Sequence, residues 1–359
     1  MDDEFYMDLA LREAWKYQLL TYPNPAVGCV IVSAGGEILA VEAHRKAGEA
    51  HAELNAVKSA LGRLAINLNL NNCANDNSNL NCQSEPNALY EFILKNHADA
   101  LKGAKAYVTL EPCAHQGKTP PCAKLLAALG FAQVVIGAMD GGESSGGGAG
   151  ILREAGVKVK TGVLRDECER LIEPWRAWSK GHFAFFKLAM SANGVISGGI
   201  ISSEVSRAHV HALRARLDLL VVGGETVRTD RPTLDCRLVG ANLKAPDVLI
   251  YSRGFKFDES IPLFGVKGRN VSVASDLSAL AGVKFAMIEG GENFLKALPR
   301  EVEWLLIYQS PRFIAARGAE LNLKFETLHV DKIGEDNVIW AKILRQKSRA
   351  FKFEYSNLN

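Results

Sequence analysis

No run of this chain approaches the roughly 18 consecutive apolar residues that a membrane-spanning helix requires. Charge of one sign is also missing: Lys and Arg exceed Asp and Glu by a net +2, so there is no strong electrostatic case for a nucleic-acid or membrane surface. The seven cysteines (29, 73, 82, 113, 122, 168 and 236) are odd in number and widely scattered, which does not make a disulfide framework. The first residues, Met1-Asp2-Asp3-Glu4-Phe5, are acidic and lack the basic stretch and apolar run of a signal peptide. A cytoplasmic setting is expected, with cysteines serving as ligands or packing. No internal repeat is visible, and no Gly-x-Gly-x-x-Gly occurs, so a standard Rossmann dinucleotide site is not expected.

What is present is ordinary globular material: 359 residues, 48% hydrophobic and 23% charged, a length that favours two domains. Residues 3–20 read as an amphipathic helix, with Phe5, Leu9, Ala10 and Trp15 near helical spacing. Tyr22-Pro23-Asn24-Pro25 breaks the chain. Strands are expected over 27–32 and 38–41 across Gly35-Gly36, a helix over 51–65, and short strands at 108–110 and 134–136. Between the last two lies a helix over 122–129, with Thr119 as N-cap candidate, Pro120 and Pro121 at its start and Gly130 beyond its end. Residues 66–87 are crowded with Asn and read as a flexible insertion, with a helix over 88–100. Cys73 and Cys82 within it suggest a second metal site only weakly, having no nearby His or paired cysteines. Residues 141–150 read as a glycine loop. A helix at 166–180 connects to a second half with strands at 183–190, 218–223, 247–252, 271–274, 284–289, 303–309 and 337–344 and helices at 203–215 and 292–298. Alternating strands and helices predict α/β architecture in both halves.

Chemistry concentrates in His51-Ala52-Glu53, Pro112-Cys113 and Cys122. One imidazole and two thiolates form a ligand set for a single Zn²⁺ and leave a fourth tetrahedral position for water. Glu53 is then a candidate proton shuttle for a hydrolytic deaminase. Cys122, in the first turn of its helix, is expected to have its thiol pKa depressed by the positive helix end. The competing readings are a structural zinc, or buried cysteines without metal.

Nucleoside and nucleic-acid deaminases of this type show Pro-Cys-x-x-Cys. Here eight residues, Ala114-His115-Gln116-Gly117-Lys118-Thr119-Pro120-Pro121, separate the cysteines. This segment, with Pro23-Asn24-Pro25-Ala26-Val27-Gly28 and His44 ahead of Gly48-Glu49-Ala50-His51-Ala52-Glu53, resembles the riboflavin-biosynthesis bifunctional deaminase-reductase family. The resemblance implies a cytidine-deaminase-like N-terminal domain, a mixed sheet flanked by helices, in which Asn24, His44, His115 and Lys118 contact the aminopyrimidine or its phosphoribosyl arm.

The second half resembles the same family in Lys187-Leu188-Ala189-Met190-Ser191-Ala192-Asn193-Gly194, Leu213-Arg214, Gly223-Gly224-Glu225-Thr226-Val227 and Asp230-Arg231-Pro232-Thr233-Leu234. The resemblance implies a dihydrofolate-reductase-like fold using NADPH. Arg214, Leu234, Arg237 and Glu289 match substrate positions, while Ala189, Thr226, Asp230 and Ser252 match cofactor positions. Asp230 is also a candidate proton donor, the alternative being a structural carboxylate. Glu289-Gly290-Gly291 ends a strand and opens a helix at Glu292, so bare N–H groups over Gly291, Glu292, Asn293, Phe294, Leu295, Lys296 and Ala297 suit a pyrophosphate. Ser252 and Arg253 are placed for the 2′-phosphate of NADP, although a solvated Arg253 fits equally well. The chain departs from the family pattern at Ala192-Asn193, in the short 195–201 segment, at Arg231 and after Asp140.

The expected organisation is a zinc deaminase domain over 1–165 with the Asn-rich insertion at about 66–100, a connecting helix over 166–182 and an NADPH-dependent reductase domain over 183–359. One Zn²⁺ per chain and NADPH are the expected cofactors. A small phosphoribosylaminopyrimidine is the expected partner, with no nucleic acid and no membrane; a homo-oligomer is left open. The rivals are an RNA or nucleoside deaminase with an accessory binding domain, and a non-catalytic NADPH-binding scaffold with a structural zinc.

Overall fold

The computed structural model describes residues 1–64, 85–117, 119–141, 146–240 and 243–345. Lys118, Cys73, Cys82, most of the Asn-rich stretch and residues 142–145 of the glycine loop, all singled out above, lie outside the described residues. By its contacts the chain forms one unit of Met1–Phe183, His211–Asp218 and Ala279–Phe285, and a second of Ala184–Val210, Leu219–Ser278 and Ala286–Asn359.

In the first unit, Asp2 caps α1 (Asp3–Trp15) by accepting the Phe5 N–H at 2.9 Å. The helix is shorter than the expected 3–20. Leu19 adopts a left-handed φ of 65°, and buried Gln18 donates to the Leu171 carbonyl instead of facing solvent. There follow β1 (Gly28–Val32), β2 (Ile38–Ala43), α2 (Ala52–Arg63), α3 (Pro86–Asn96), β3 (Lys105–Leu110), α4 (Cys122–Ala128), β4 (Gln133–Ala138), α5 (Gly148–Glu154), β5 (Lys158–Thr161) and α6 (Arg165–Lys180).

These strands form a five-stranded sheet in the order β2-β1-β3-β4-β5. It is antiparallel at β2-β1 and β1-β3 and parallel from β3 through β5. Side chains alternate across a strand, and both faces are covered. Cys29, Ile31, Ala106, Val108, Val134 and Ile136 join a core with Leu54, Val57, Leu61, Ile93, Leu125 and Leu152 from α2 to α5. On the other face, Tyr107 meets Tyr6 of α1 at 4.8 Å between ring centroids, and α6 packs on α1 and β4. Each fully buried Ile or Val contributes about 1.5–3 kcal/mol. A Cβ on Gly28 would lie 1.9 Å from the Ala10 carbonyl oxygen, so only glycine lets α1 cross β1 this closely.

Two elements escape the sequence pattern here. β5 is an exposed edge strand, Lys-Val-Lys-Thr, without the apolar run that marks a central strand. The glycine stretch is not all loop, because Gly148-Ala149-Gly150 is the first turn of α5. A Cβ on Gly148 would meet the Pro112 carbonyl oxygen at 1.8 Å, so this glycine serves the packing of α5 against the segment leading to Cys113.

The second unit is built on β6 (Phe183–Ser191), α7 (Glu204–Arg214), β7 (Leu219–Gly223), α8 (Gly224–Asp230), β8 (Asp247–Tyr251), β9 (Val271–Ala274), β10 (Phe285–Glu289), α9 (Glu292–Lys296), β11 (Trp304–Ser310), β12 (Phe325–Ile333) and β13 (Asp336–Ile343). The eight-stranded sheet runs β12-β13-β11-β6-β10-β7-β8-β9. β10, β7, β8 and β9 are parallel to one another, as are β6 and β11, while β13 is antiparallel to both β11 and β12. Both sheets are mixed, as expected for the first half. The edge strand β12 was not legible in the sequence, its residues being nearly all exposed or half-buried. Nor was the short α8, where glycines and Thr mask the helix.

A His-Cys-Cys cluster, a buried carboxylate and a second set of strand-end residues

His51 is the N-cap of α2, with extended backbone at φ −68° and ψ 164°. This geometry allows a side chain two residues before Glu53 to share one space with it, although i and i+2 do not share a face within a helix. Cys113 follows β3 through Glu111-Pro112, and Cys122 is the first residue of α4. His51 Nδ1 lies 3.7 Å from Cys113 Sγ and 3.6 Å from Cys122 Sγ. All three ligand atoms lie within 4.8 Å of one another. Zn–N of about 2.05 Å and Zn–S of about 2.3 Å give a tetrahedral N···S edge of about 3.6 Å, so the donors and their spacing fit Zn²⁺.

The sulfur protonation differs from the sequence expectation. Cys113 is held well below the usual thiol value, first by the hydrogen bond from Cys122 and then by His51. Cys122 is pushed up by donating that bond and by burial. The helix end acts on the other sulfur: the Cys122 N–H, at the start of α4, donates to Cys113 Sγ at 3.3 Å. Thr119 is not the N-cap either. Pro121 occupies that position without a side-chain cap, and the Thr119 hydroxyl lies 3.0 Å from His51 Nε2.

Glu53 is 4% exposed, and its carboxyl is pushed up to about 7, chiefly by burial and next by Cys113. It lines a cavity of about 380 Å³ together with Asn24, His44, His51, Cys113 and His115. His44 donates Nδ1–H to the Ala50 carbonyl at 3.1 Å, so its Nε2 accepts from Asn24 Nδ2 at 3.0 Å. Burial, and next His51, hold His44 down to about 4. Asn24 is itself fixed in a turn, where its carbonyl accepts the Thr21 hydroxyl.

Among the cavity residues not assigned to the site from sequence are Glu111, Asp140 and Trp175. Trp175 sits on α6, whose Trp178 donates to the Pro23 carbonyl at 3.0 Å and so pins the segment bearing Asn24. Glu111 is buried and accepts the N–H groups of Asp140, Gly147 and Ala149 at 3.2, 3.2 and 2.9 Å. It ties the cavity wall to the start of α5. An acidic residue after an apolar strand was the available signal. Glu111→Ala leaves the buried Ala149 N–H unpaired at about 1–3 kcal/mol, while the Asp140 and Gly147 N–H groups, nearer solvent, can turn to water. We expect about 2 kcal/mol of destabilisation in urea unfolding, with an unchanged midpoint counting against this role.

In the second unit, Glu289, Gly223 and Ser252 lie at the carboxyl ends of the adjacent parallel strands β10, β7 and β8, where ligands of open α/β sheets bind. Ala189 is near the carboxyl end of β6, the next strand, and Thr226 and Asp230 are on α8 directly after β7. Buried Glu289 pairs with Lys187 at 3.6 Å, and Arg237 pairs with Asp235 at 2.7 Å. Leu234 is buried with a left-handed φ of 57°. Arg214 is the last residue of α7 and belongs by its contacts to the first unit.

The helix expected to present a pyrophosphate cradle spans only Glu292–Lys296, too few residues for a strong helix dipole. Phe294 and Leu295 turn into the core, Phe294 stacking on Tyr251 at 4.9 Å, which leaves backbone rather than these side chains for any cofactor. Arg253 is exposed. Arg228, missed from sequence, lies beside Ser252: its guanidinium contacts Ser252 Oγ at 3.4 Å and the Gly254 carbonyl at 3.2 Å, and covers the Phe257 ring at 4.2 Å. None of these partners is acidic.

Residues 1–138 match the family model for the cytidine and deoxycytidylate deaminase zinc-binding region, and residues 183–339 match that of the RibD C-terminal domain. The riboflavin biosynthesis protein RibD of Actinobacillus pleuropneumoniae is 37% identical over 249 residues, 67% of this chain and 56% of the relative. The chain thus spans about half the length of some of the curated relatives it matches. The RibD of Mycobacterium tuberculosis H37Rv is 32% identical over 358 residues, covering 92% of this chain and 94% of the relative. Among solved structures, a diaminohydroxyphosphoribosylaminopyrimidine deaminase/5-amino-6-(5-phosphoribosylamino)uracil reductase from Thermotoga maritima superposes with a TM-score of 0.60 at 25% identity, over 95% of this chain and 99% of that one. With both halves matched in order and 92% of the chain covered by one such relative, the chain belongs to the RibD family of riboflavin biosynthesis proteins.

Proposed function

We propose that this chain carries out two successive steps of riboflavin synthesis. The first is hydrolytic deamination of 2,5-diamino-6-(5-phosphoribosylamino)pyrimidin-4(3H)-one. The second is NADPH-dependent reduction of the ribosyl arm, giving 5-amino-6-(5-phosphoribitylamino)uracil. The observation that carries the reading is the His51-Cys113-Cys122 cluster with buried Glu53 on the wall of one cavity.

Bound at that cluster, Zn²⁺ supplies a Lewis acid that lowers the pKa of a water to about 7. Glu53 takes a proton from the attacking water and returns it to the departing nitrogen; a carboxyl near 7 suits both directions. Asn24, held by neutral His44, offers its amide oxygen to the pyrimidine. His115, exposed on the cavity rim, and Lys118 meet the phosphoribosyl arm. The near-neutral chain and the long inter-cysteine segment favour this small substrate over RNA.

In the reductase half, Leu234, Arg237 and Glu289 hold the substrate, and Asp230 donates a proton to the opening ribose. Ala189, Thr226, Ser252 and the backbone of 291–297 hold NADPH. Arg228 with Ser252 receives the 2′-phosphate, because its cation pairs with no carboxylate among the described residues. A charge-assisted contact of this kind is worth about 1.5–3 kcal/mol. Arg228→Ala is therefore expected to raise the KM for NADPH about tenfold or more and leave that for NADH unchanged. An equal effect on both cofactors would reject the assignment.

We assign residues 1–165 to the deaminase, 166–182 to a connecting helix and 183–359 to the reductase. Among the described residues no helix is long and apolar enough to cross a membrane, and the proposed setting is cytoplasmic. A coupled assay tests the whole reading. Ammonia release from the diaminopyrimidine substrate must precede NADPH consumption; ammonia from cytidine or tRNA instead would support the rival deaminase, and neither signal would leave only the scaffold.

A further inference from the structure

His51 presents two nitrogens to two different environments. Nδ1 faces both sulfurs, at 3.7 and 3.6 Å, whereas Nε2 lies 3.0 Å from the Thr119 hydroxyl. A neutral imidazole carries one proton, and the nitrogen that ligates a metal must present its lone pair. With Nδ1 in the cluster, the proton belongs on Nε2, and the acceptor there is Thr119 Oγ1.

We propose that Thr119 is the positioning residue of the metal site: it accepts the Nε2–H of His51 and keeps the Nδ1 lone pair aimed at the cation. Metal-bound histidines generally place their second nitrogen on such a partner, which fixes tautomer and ring orientation. Thr119 is built to hold still. It is 5% exposed, its carbonyl accepts the Gly117 N–H at 3.1 Å, and Pro120 and Pro121 restrict the backbone between it and Cys122. The residues between the two cysteines are thus more than a spacer. They bring a hydroxyl to the rear of the histidine that the cysteines face from the front, so all three ligands depend on one short stretch of chain.

The inference rests on the zinc reading, and the experiment separates the two. Zinc affinity of the full chain is measured by competition with a chromophoric chelator for wild type, Thr119→Val, Thr119→Ser and Thr119→Ala. Valine keeps the shape and removes the acceptor; serine keeps the acceptor. The expected result is a loss of zinc affinity of about 10- to 100-fold in Thr119→Val, with Thr119→Ser within about threefold of wild type. Thermal unfolding of the chelated proteins checks that the variants fold alike, and the Ser-versus-Ala comparison carries the argument if the valine variant does not fold. Equal affinity in Thr119→Val and wild type overturns the proposal, as does a serine variant no better than valine or alanine. A wild-type chain that binds no zinc overturns the zinc reading itself, a different failure from loss of the threonine effect.

Discussion

Glu53→Gln lowers the rate of ammonia release by about 10²- to 10⁴-fold, the range a positioned acid–base group contributes. Reduction of the authentic deaminated intermediate by NADPH continues at the wild-type rate. The size of the effect follows from where the carboxyl sits. It is 4% exposed, in a cavity also lined by His51 and Cys113, and its proton is held to about 7 by burial and by the neighbouring sulfur. No other carboxylate is known from the described cavity lining except Glu111 and Asp140. Glu111 is occupied by three backbone N–H groups. The amide of Gln has the same shape and can still hydrogen-bond, but it has no proton to exchange near neutral pH. Zinc content should therefore stay at the wild-type value, which separates loss of proton transfer from loss of the site. Deamination that is unaffected in this variant would remove Glu53 from the mechanism.

The second large effect is expected from Cys122→Ser. Four-ligand structural zinc sites bind with about 10–16 kcal/mol, so one ligand is worth on the order of 3 kcal/mol and its loss weakens binding on the order of 10²-fold. A serine hydroxyl does not ionise near neutral pH and is a poor substitute for thiolate. The variant also disturbs its partner, because Cys113 is held low first by its hydrogen bond with Cys122 and then by His51. The Cys122 N–H bond to Cys113 Sγ comes from the backbone and survives the substitution. Metal analysis after dialysis should find far less than one zinc per chain, with ammonia release lost and NADPH oxidation on the deaminated intermediate retained. Full zinc occupancy in Cys122→Ser would mean the cation is held elsewhere.

The parts of this site legible in the sequence are those whose chemistry fixes residue type and spacing. His51, Glu53, Cys113 and Cys122 were found because a divalent cation accepts few side chains, and because Pro and apolar residues mark where their strands and helices begin. The central strands were equally plain. β1, β3 and β4 are buried on both faces and therefore read as short apolar runs. β5 and β12 were not visible, since an edge strand tolerates charge and its pairing is decided by a neighbour distant in the chain. The expected pyrophosphate helix shrank to five residues for a related reason: Phe294 and Leu295 are recruited by the core, and burial overrides the local glycine signal.

Glu111, Trp175 and Arg228 carry no periodicity or motif of their own. Their relevance lies in what the fold sets beside them: free N–H groups, a cavity wall and a serine hydroxyl. Thr119 shows the limit most sharply. Its neighbours in sequence suggest a helix cap, and its neighbour in space is an imidazole from 68 positions away.

By itself, then, the sequence determined the residue types of the His-Cys-Cys cluster and its neighbouring carboxylate, the α/β class and the two-part order, because these depend on composition, spacing and short-range backbone preference. Only the tertiary structure decided which thiol its neighbours hold low, which nitrogen of His51 faces the sulfurs, and what stands behind it. Protonation and orientation depend on burial and on groups a few ångströms away, and those distances exist only once strands far apart in the chain have paired.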